Sequence, residues 1–225
     1  MSGGRDRASW APLRVMYQRL VQSLGPQGWW PAESPFEMMV GAMLTQATNW
    51  HNVERAIRQL RRIGGLDPHR LAGMSSGRVR RAVRPAGYFR QKTKRLKAFT
   101  VWFLTRYAAS PRRMFRVPWR ALREELLELH GIGPETADSI LLYAGGQPVF
   151  VIDAYTMRVF RRHRLISGRT TYDEVQRWAM QALPAEAQRY NEFHALLVAV
   201  GKQFCHRRNP DCGRCPLGDL PHTVR

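Results

Sequence analysis

The stretch LHGIGPETAD, residues 129 to 138, sets two glycines and a proline between two runs with helical spacing. Glycine reaches the positive φ that a tight reversal needs, and proline suits the first turn of a helix, where its missing N–H is no loss. Gly131 and Gly133 therefore read as a turn, with one helix ending near His130 and a second starting at Pro134. Backbone N–H groups at the start of that second helix point outward and can hold a phosphate without reading base sequence. Gly-x-Gly between helices is by itself an ordinary connection, so its surroundings decide its meaning.

Those surroundings are helical. Apolar residues recur at spacings of three and four through Leu13 to Leu24, Phe36 to Leu44, Val53 to Ile63, Leu122 to Leu129, Ile140 to Tyr143 and Phe193 to Val200. The one β-like run, VFVI at 149 to 152, is short and has no comparable partner, so the expected class is all-α. Glycine and proline at Gly25-Pro26, Gly64-Gly65, Pro85, Pro111, Gly145-Gly146 and Pro184 cut the chain into short helices with short links. A chain of 225 residues suits one domain or two small ones packed together. No apolar run approaches the roughly 20 residues of a bilayer span, and MSGGRDRASW lacks the apolar core of a secretory signal. The expectation is a cytoplasmic protein, nucleoid-associated in a bacterium, with no membrane partner.

Lysine and arginine number 36 against 17 acidic residues, a net charge of +19 that suits a polyanion. Basic side chains concentrate in RVRRAVRPAGYFRQKTKRLK (78 to 97) and RVFRRHR (158 to 164). Each run reads either as a solvated helix face or as a DNA contact. Tyr88 and Phe89 inside the first favour contact, since aromatics can pack a helix to the core while the cations reach phosphates. Cys205, Cys212 and Cys215 lie within eleven residues, which suits a metal or cluster loop better than disulfides.

LxGIGxxTA, followed about twenty residues later by VID and then RVF, resembles the helix-hairpin-helix DNA glycosylases of the endonuclease III superfamily. MMVGAMLTQATNWHNV (38 to 53) is similar to the family's early helix and Gln-x-Thr loop, AGYFRQKTKRLK to its Gly-Tyr segment, and the cysteine loop to its cluster site. The resemblance implies a two-lobed helical fold with a DNA-binding groove between the lobes. One lobe, of six helices, would span 27–147 and contain the hairpin at 129–137; the other would join 1–26 to 148–225. It implies that Gly131, Ile132, Gly133 and Thr136 of the hairpin grip DNA backbone, that Asp153 is the catalytic aspartate, and that Gln46 enters the duplex where the damaged base has been flipped out. Base extrusion costs a few kcal/mol, so such a plug is physically sensible. The implied partner is double-stranded damaged DNA, and the implied acting species is a monomer.

One position departs from the bifunctional members, which carry a lysine in the second hairpin helix that forms a Schiff base with the sugar. Here Glu135 stands there, and a carboxylate cannot form an imine. A monofunctional, hydrolytic glycosylase is left, with Asp153 stabilising the oxocarbenium-like sugar and orienting water. This route favours a base already activated as a leaving group, such as cationic 3-methyladenine, and indole faces attract cations. Trp29-Trp30-Pro31 and Trp50 are similar to the aromatics lining the base pocket in the 3-methyladenine DNA glycosylase III branch. Trp29, Trp30, Pro31, Trp50 and Glu135 are thus pocket candidates, although the tryptophans also read as core. Glu135 and Asp138 also read as ordinary helix-surface acids. Endonuclease III-like action on mismatched thymine or oxidised pyrimidines, and an inactive damaged-DNA-binding protein, stand as alternatives.

FCHRRNPDCGRCPL supplies the first three cysteines of the family's C-x6-C-x2-C-x5-C pattern for a 4Fe-4S cluster. The fourth position is Pro221, with His222 one residue on and Asp219 two before. The expected ligands are Cys205, Cys212, Cys215 and His222, since imidazole replaces thiolate in some iron–sulfur centres. Zinc held by Cys3His, or an empty loop, are the alternatives. An occupied site would be structural, pinning a basic loop against DNA. In NEFHALLVAVGK (191 to 202), His194 reads as a hydrogen-bonded core residue, or as a group that orders Asp153 or holds DNA; Lys202 has no assigned role.

Overall fold

The computed structural model describes residues 11 to 223. In chain order it contains α1 (Ala11–Leu24), α2 (Pro35–Leu44), α3 (Trp50–Arg62), α4 (Pro68–Gly73), α5 (Ser76–Val83), α6 (Phe89–Tyr107), α7 (Pro111–Met114), α8 (Trp119–Glu128), α9 (Pro134–Ser139), α10 (Ala154–Arg162), α11 (Tyr172–Ala182) and α12 (Ala187–Gln203). A 3-10 turn covers Arg84–Ala86, and α9 runs on into a π turn, Ile140–Ala144. Side chains of Ser34, Asn49, Asp67, Ser75, Ser110, Asp153 and Thr171 each accept a backbone N–H at the start of the helix they precede. These caps satisfy donors that the helices cannot satisfy internally, which is why the chain breaks where it does.

No β-strand occurs among the described residues. VFVI is instead a fully buried extended segment, and α11 meets its polar backbone: Gln176 Nε2 donates to the Phe150 carbonyl at 2.7 Å, and the Ile152 N–H donates to the Tyr172 hydroxyl at 3.3 Å. Side chains thus replace a partner strand.

The chain divides into two compact units, one running to Trp29 and resuming at Pro148, the other spanning Trp30–Gln147. In the first, α10 packs on α12, and α1 lies against α11 and α12. Leu13, Met16, Leu20, Phe150, Phe160, Tyr190 and Phe193 fill its core. Gly201 allows α10 and α12 to approach, because a Cβ there would strike the Tyr155 ring.

In the second unit, α2 is almost wholly buried and packs against α3, α6, α9 and the π turn. Eight α-helices of the described residues fall here, two more than the six expected, because α4 and α7 are too short to show a period in sequence. Buried Glu37 joins α2 to α3 by accepting Arg61 Nη2 on both carboxylate oxygens at 2.8 Å. Buried Lys92 spans Leu44 and Ala86, donating to their carbonyls at 2.9 and 2.7 Å; burial pushes its ammonium down to about 8.

Candidate active site and nucleic-acid interface

α8 ends at Glu128 with Leu129 as its C-cap, Gly131 takes φ +88°, and α9 opens with Gly133 as N-cap and Pro134 behind it. Gly133 makes no side-chain cap, so it leaves the first N–H groups of α9 uncovered by a capping side chain. Ile132 is buried and anchors the turn through its N–H to the Leu129 carbonyl at 3.0 Å. Thr136 is buried and Glu135 exposed.

Gln46 is built into this hairpin. Its Nε2 donates to the Gly131 carbonyl at 2.8 Å and to Thr136 Oγ1 at 2.9 Å, while its Oε1 accepts Arg95 Nη1 at 2.9 Å. Arg95 in turn lies so close over Gly131 that a Cβ there would collide with its guanidinium. Gly131 is therefore required twice, for its φ and for this contact. Arg95 was legible only as one member of a basic run; that it orients Gln46 depends on a contact 49 residues away.

Asp138 is not the surface acid that its helix suggested. Its side chain is fully shielded and paired with Arg123 on α8, which clamps the two arms of the hairpin together. Tyr88 departs in the other direction: it is 65% exposed at φ +44°, and only Phe89 turns partly inward.

Asp153 caps α10, its Oδ1 accepting the Thr156 N–H at 2.7 Å. Its Oδ2 lies 3.7 Å from Nε2 of His194, which is buried on α12. Burial lowers the His194 pKa from its ordinary value, and the Asp153 carboxylate opposes that shift. Trp29 leans on the same imidazole with ring centres 6.0 Å apart, and Lys202 Nζ stands 5.9 Å from the Trp29 ring centre. One wall thus collects Asp153, His194, Trp29 and Lys202.

Within the other unit, Trp30 meets Trp50 edge-on at 4.8 Å and Tyr143 at 5.3 Å between ring centres. Trp50 Nε1 donates to Glu54 at 2.8 Å, which fixes the indole, and Pro31 is exposed beside Trp30. Tyr143 was missed as a pocket candidate, since a lone tyrosine in an apolar helix carries no signal. It sits on the π turn, a distortion often found at functional sites.

The three cysteines line one small pocket, and Arg162, His163 and His222 share its lining. Burial raises the Cys215 pKa, and the neighbouring thiols Cys205 and Cys212 add to the rise. A bound cationic group is what would hold such sulfurs as thiolates. Cys205 Sγ already accepts Arg162 Nη1 at 2.9 Å. Among the described residues, no three His, Cys, Asp or Glu side chains converge closely enough to hold one metal ion. Three cysteines and a histidine around one pocket are donor types that an iron–sulfur cluster takes. The second basic run is partly absorbed here: Arg158 Nε donates to the Cys205 carbonyl at 2.6 Å, and buried Arg162 also reaches the His206 carbonyl at 3.0 Å. His206, Arg207, Arg208 and Arg214 remain exposed on the loop.

A hairpin with a bare helix start, a capped aspartate and a cysteine loop fit a DNA-repair glycosylase, and the comparisons with known proteins give that class. The chain belongs to the HhH-GPD superfamily of base excision DNA repair proteins, whose family model matches residues 40–185, and residues 205–220 match the iron-sulfur binding domain of endonuclease III. It is accordingly a DNA-binding base-excision glycosylase with a 4Fe-4S site. It is 41% identical to a candidate DNA repair glycosylase, MJ1434, of Methanocaldococcus jannaschii, over 91% of this chain and 93% of that protein. A 3-methyladenine DNA glycosylase of H. pylori, solved with 1,N6-ethenoadenine, shares its structure at TM-score 0.73 and 28% identity, covering 87% of this chain and 97% of that one. An endonuclease III–DNA complex shares the fold at TM-score 0.80 and 21% identity, over 94% of each chain. No helix of the described residues is long and apolar enough to cross a membrane.

Proposed function

We propose that the protein is a monofunctional glycosylase that acts as a monomer on double-stranded DNA and releases alkylated purines such as 3-methyladenine. The observation that carries this reading is Glu135, exposed at the second position of α9, where bifunctional relatives place the amine that attacks the sugar. A carboxylate there leaves water as the nucleophile. The Trp30, Trp50 and Tyr143 rings supply π faces for a cationic base, and the likeness to the H. pylori 3-methyladenine glycosylase supports the same lesion class.

In the proposed reaction the hairpin N–H groups hold phosphate and Gln46 occupies the space of the extruded nucleotide. The glycosidic C–N bond breaks, its electron pair leaves with the base and neutralises the charge on the alkylated ring, and positive charge develops on the sugar. Asp153 faces that charge. Its Oδ1 is held by the Thr156 N–H, so Oδ2 is the oxygen that accepts the proton of the water attacking the sugar carbon. The cluster, when bound, holds the exposed basic loop in place and takes no part in the hydrolysis.

The test is base release from methylated duplex DNA, analysed by chromatography beside a strand-nicking assay without alkali. Free 3-methyladenine without a nick, lost in Asp153→Asn while DNA affinity persists, is the expected result. Nicking would overturn the monofunctional reading. Release of thymine or oxidised pyrimidines alone would overturn the lesion class, and tight binding with no release of any base would mark a DNA-binding protein.

A further inference from the structure

The cysteine loop lacks a fourth thiolate, since Pro221 stands at the position where the family pattern has one. Two imidazoles line the same pocket as the three cysteines, His163 at the end of α10 and His222 near the end of the described chain. Each is oriented by a backbone carbonyl: Nδ1 of His222 lies 2.8 Å from the Leu220 oxygen, and Nδ1 of His163 lies 3.1 Å from the Pro221 oxygen. A carbonyl only accepts, so in the neutral form of either ring the proton sits on Nδ1 and Nε2 is left with a lone pair, the form in which histidine ligates a metal.

The surrounding contacts give the two rings different tasks. His163 binds the carbonyl of Pro221, immediately before His222. On the other side, the Thr223 N–H donates to the Arg162 carbonyl at 2.8 Å. The end of α10 therefore staples the chain on both sides of His222 and fixes that residue in the wall of the cysteine pocket. Ring centres of His163 and His222 are 5.8 Å apart, so the first supports the second without stacking on it. Inside the loop, a Cβ on Gly218 would overlap the Cys212 carbonyl, so the turn between Cys215 and His222 closes only with glycine there.

We propose that Nε2 of His222 is the fourth ligand of the cluster, giving a Cys205, Cys212, Cys215, His222 site in which His163 and Arg162 act as positioning residues. Imidazole in place of thiolate removes one negative charge from the site, and in other iron–sulfur centres this substitution raises the potential. A Cys3His site here should be easier to reduce than an all-cysteine one.

The experiment is anaerobic reconstitution of the full chain with ferrous iron and sulfide, followed by iron analysis, EPR spectroscopy and potentiometry, on the wild type, His222→Cys, His222→Ala and His163→Gln. Wild type and His222→Cys are expected to hold about four irons, with a lower potential for His222→Cys, while His222→Ala falls to about three and shows the EPR signal of an oxidised three-iron cluster. His163→Gln should keep about four irons and lose them faster to a chelator. Four irons retained in His222→Ala with an unchanged spectrum would overturn the proposal, as would a wild type that takes up only zinc or three irons, or iron loss in His163→Gln alone. If His222→Ala does not fold by circular dichroism, His222→Cys decides: a potential equal to wild type rules His222 out as a ligand.

Discussion

Asp138 receives two hydrogen bonds from the Arg123 guanidinium, Nε to Oδ1 at 2.7 Å and Nη2 to Oδ2 at 3.2 Å, with the carboxylate fully out of solvent and the arginine 17% exposed. The pair ties α8 to α9 across the turn that carries the bare helix start. Removing one partner strands a buried charge, which costs about 3–5 kcal/mol. Asp138→Ala is therefore expected to lose that much stability in urea unfolding. The double variant Arg123→Met with Asp138→Leu should lose less than the sum of the two single changes, because the two charges of the pair are removed together.

Gln46 contributes to the stability of the hairpin before DNA arrives. Gln46→Ala removes three hydrogen bonds, each with a net value of about 0.5–1.5 kcal/mol. The expected outcome is a drop of about 1.5–4.5 kcal/mol in unfolding free energy, with a larger proportional loss of base release than of duplex affinity. Equal losses in release and affinity would show that Gln46 serves only to shape the hairpin.

Elements whose signal is local were readable from the chain: the Gly131 turn, the Pro134 helix start and the cysteine spacing each depend on a few consecutive residues, whereas the Asp153 cap on α10 emerged only with the structure. The all-α class followed from apolar spacing in α1, α2, α3, α8 and α12. Hidden features were those made by distance. Asp138 looks like a surface acid until Arg123 is brought against it, and Arg162 looks like one charge among several until α10 meets the Cys205 loop. Helix α6, the longest of the described helices, buries the stripe Leu96, Phe99, Phe103 and Tyr107, but its basic first half and the exposed Val101 beside that stripe blur the pattern in sequence. VFVI has strand composition, and only the side chains of α11 explain how it is buried unpaired.

His194 gives the pH dependence a direction. Burial holds its pKa below the ordinary value, with the Asp153 carboxylate opposing in part, so the unfolded chain takes up a proton more readily than the native protein. The stability owed to neutral His194 is fully present above the unfolded value, about 6.5, and is lost as pH falls from there towards the folded value. Melting temperature should drop more steeply below about pH 6.5 in the wild type than in His194→Asn, whose side chain does not titrate. Parallel curves for the two proteins would show that another group controls the acid limb.

The aromatic trio supplies a test of lesion chemistry that is separate from folding. Trp50 is fixed by its bond to Glu54 and meets Trp30 edge-on, while a Cβ at Gly41 would come within 3.2 Å of Trp30 Cζ2. Gly41→Ala should shift Trp30 by a few tenths of an ångström, and Trp50→Ala should remove one π face altogether. A cation over an indole is worth about 0.5–2 kcal/mol, a factor of roughly 2 to 30 in rate or affinity. Trp50→Ala is therefore expected to slow release of cationic 3-methyladenine by that factor, and release of a neutral adduct such as ethenoadenine by much less. Gly41→Ala should fall between the wild type and Trp50→Ala. Single-turnover release of the two bases from otherwise identical duplexes measures the contrast. Equal losses on both would mean that the rings contribute shape and stacking without selecting for charge.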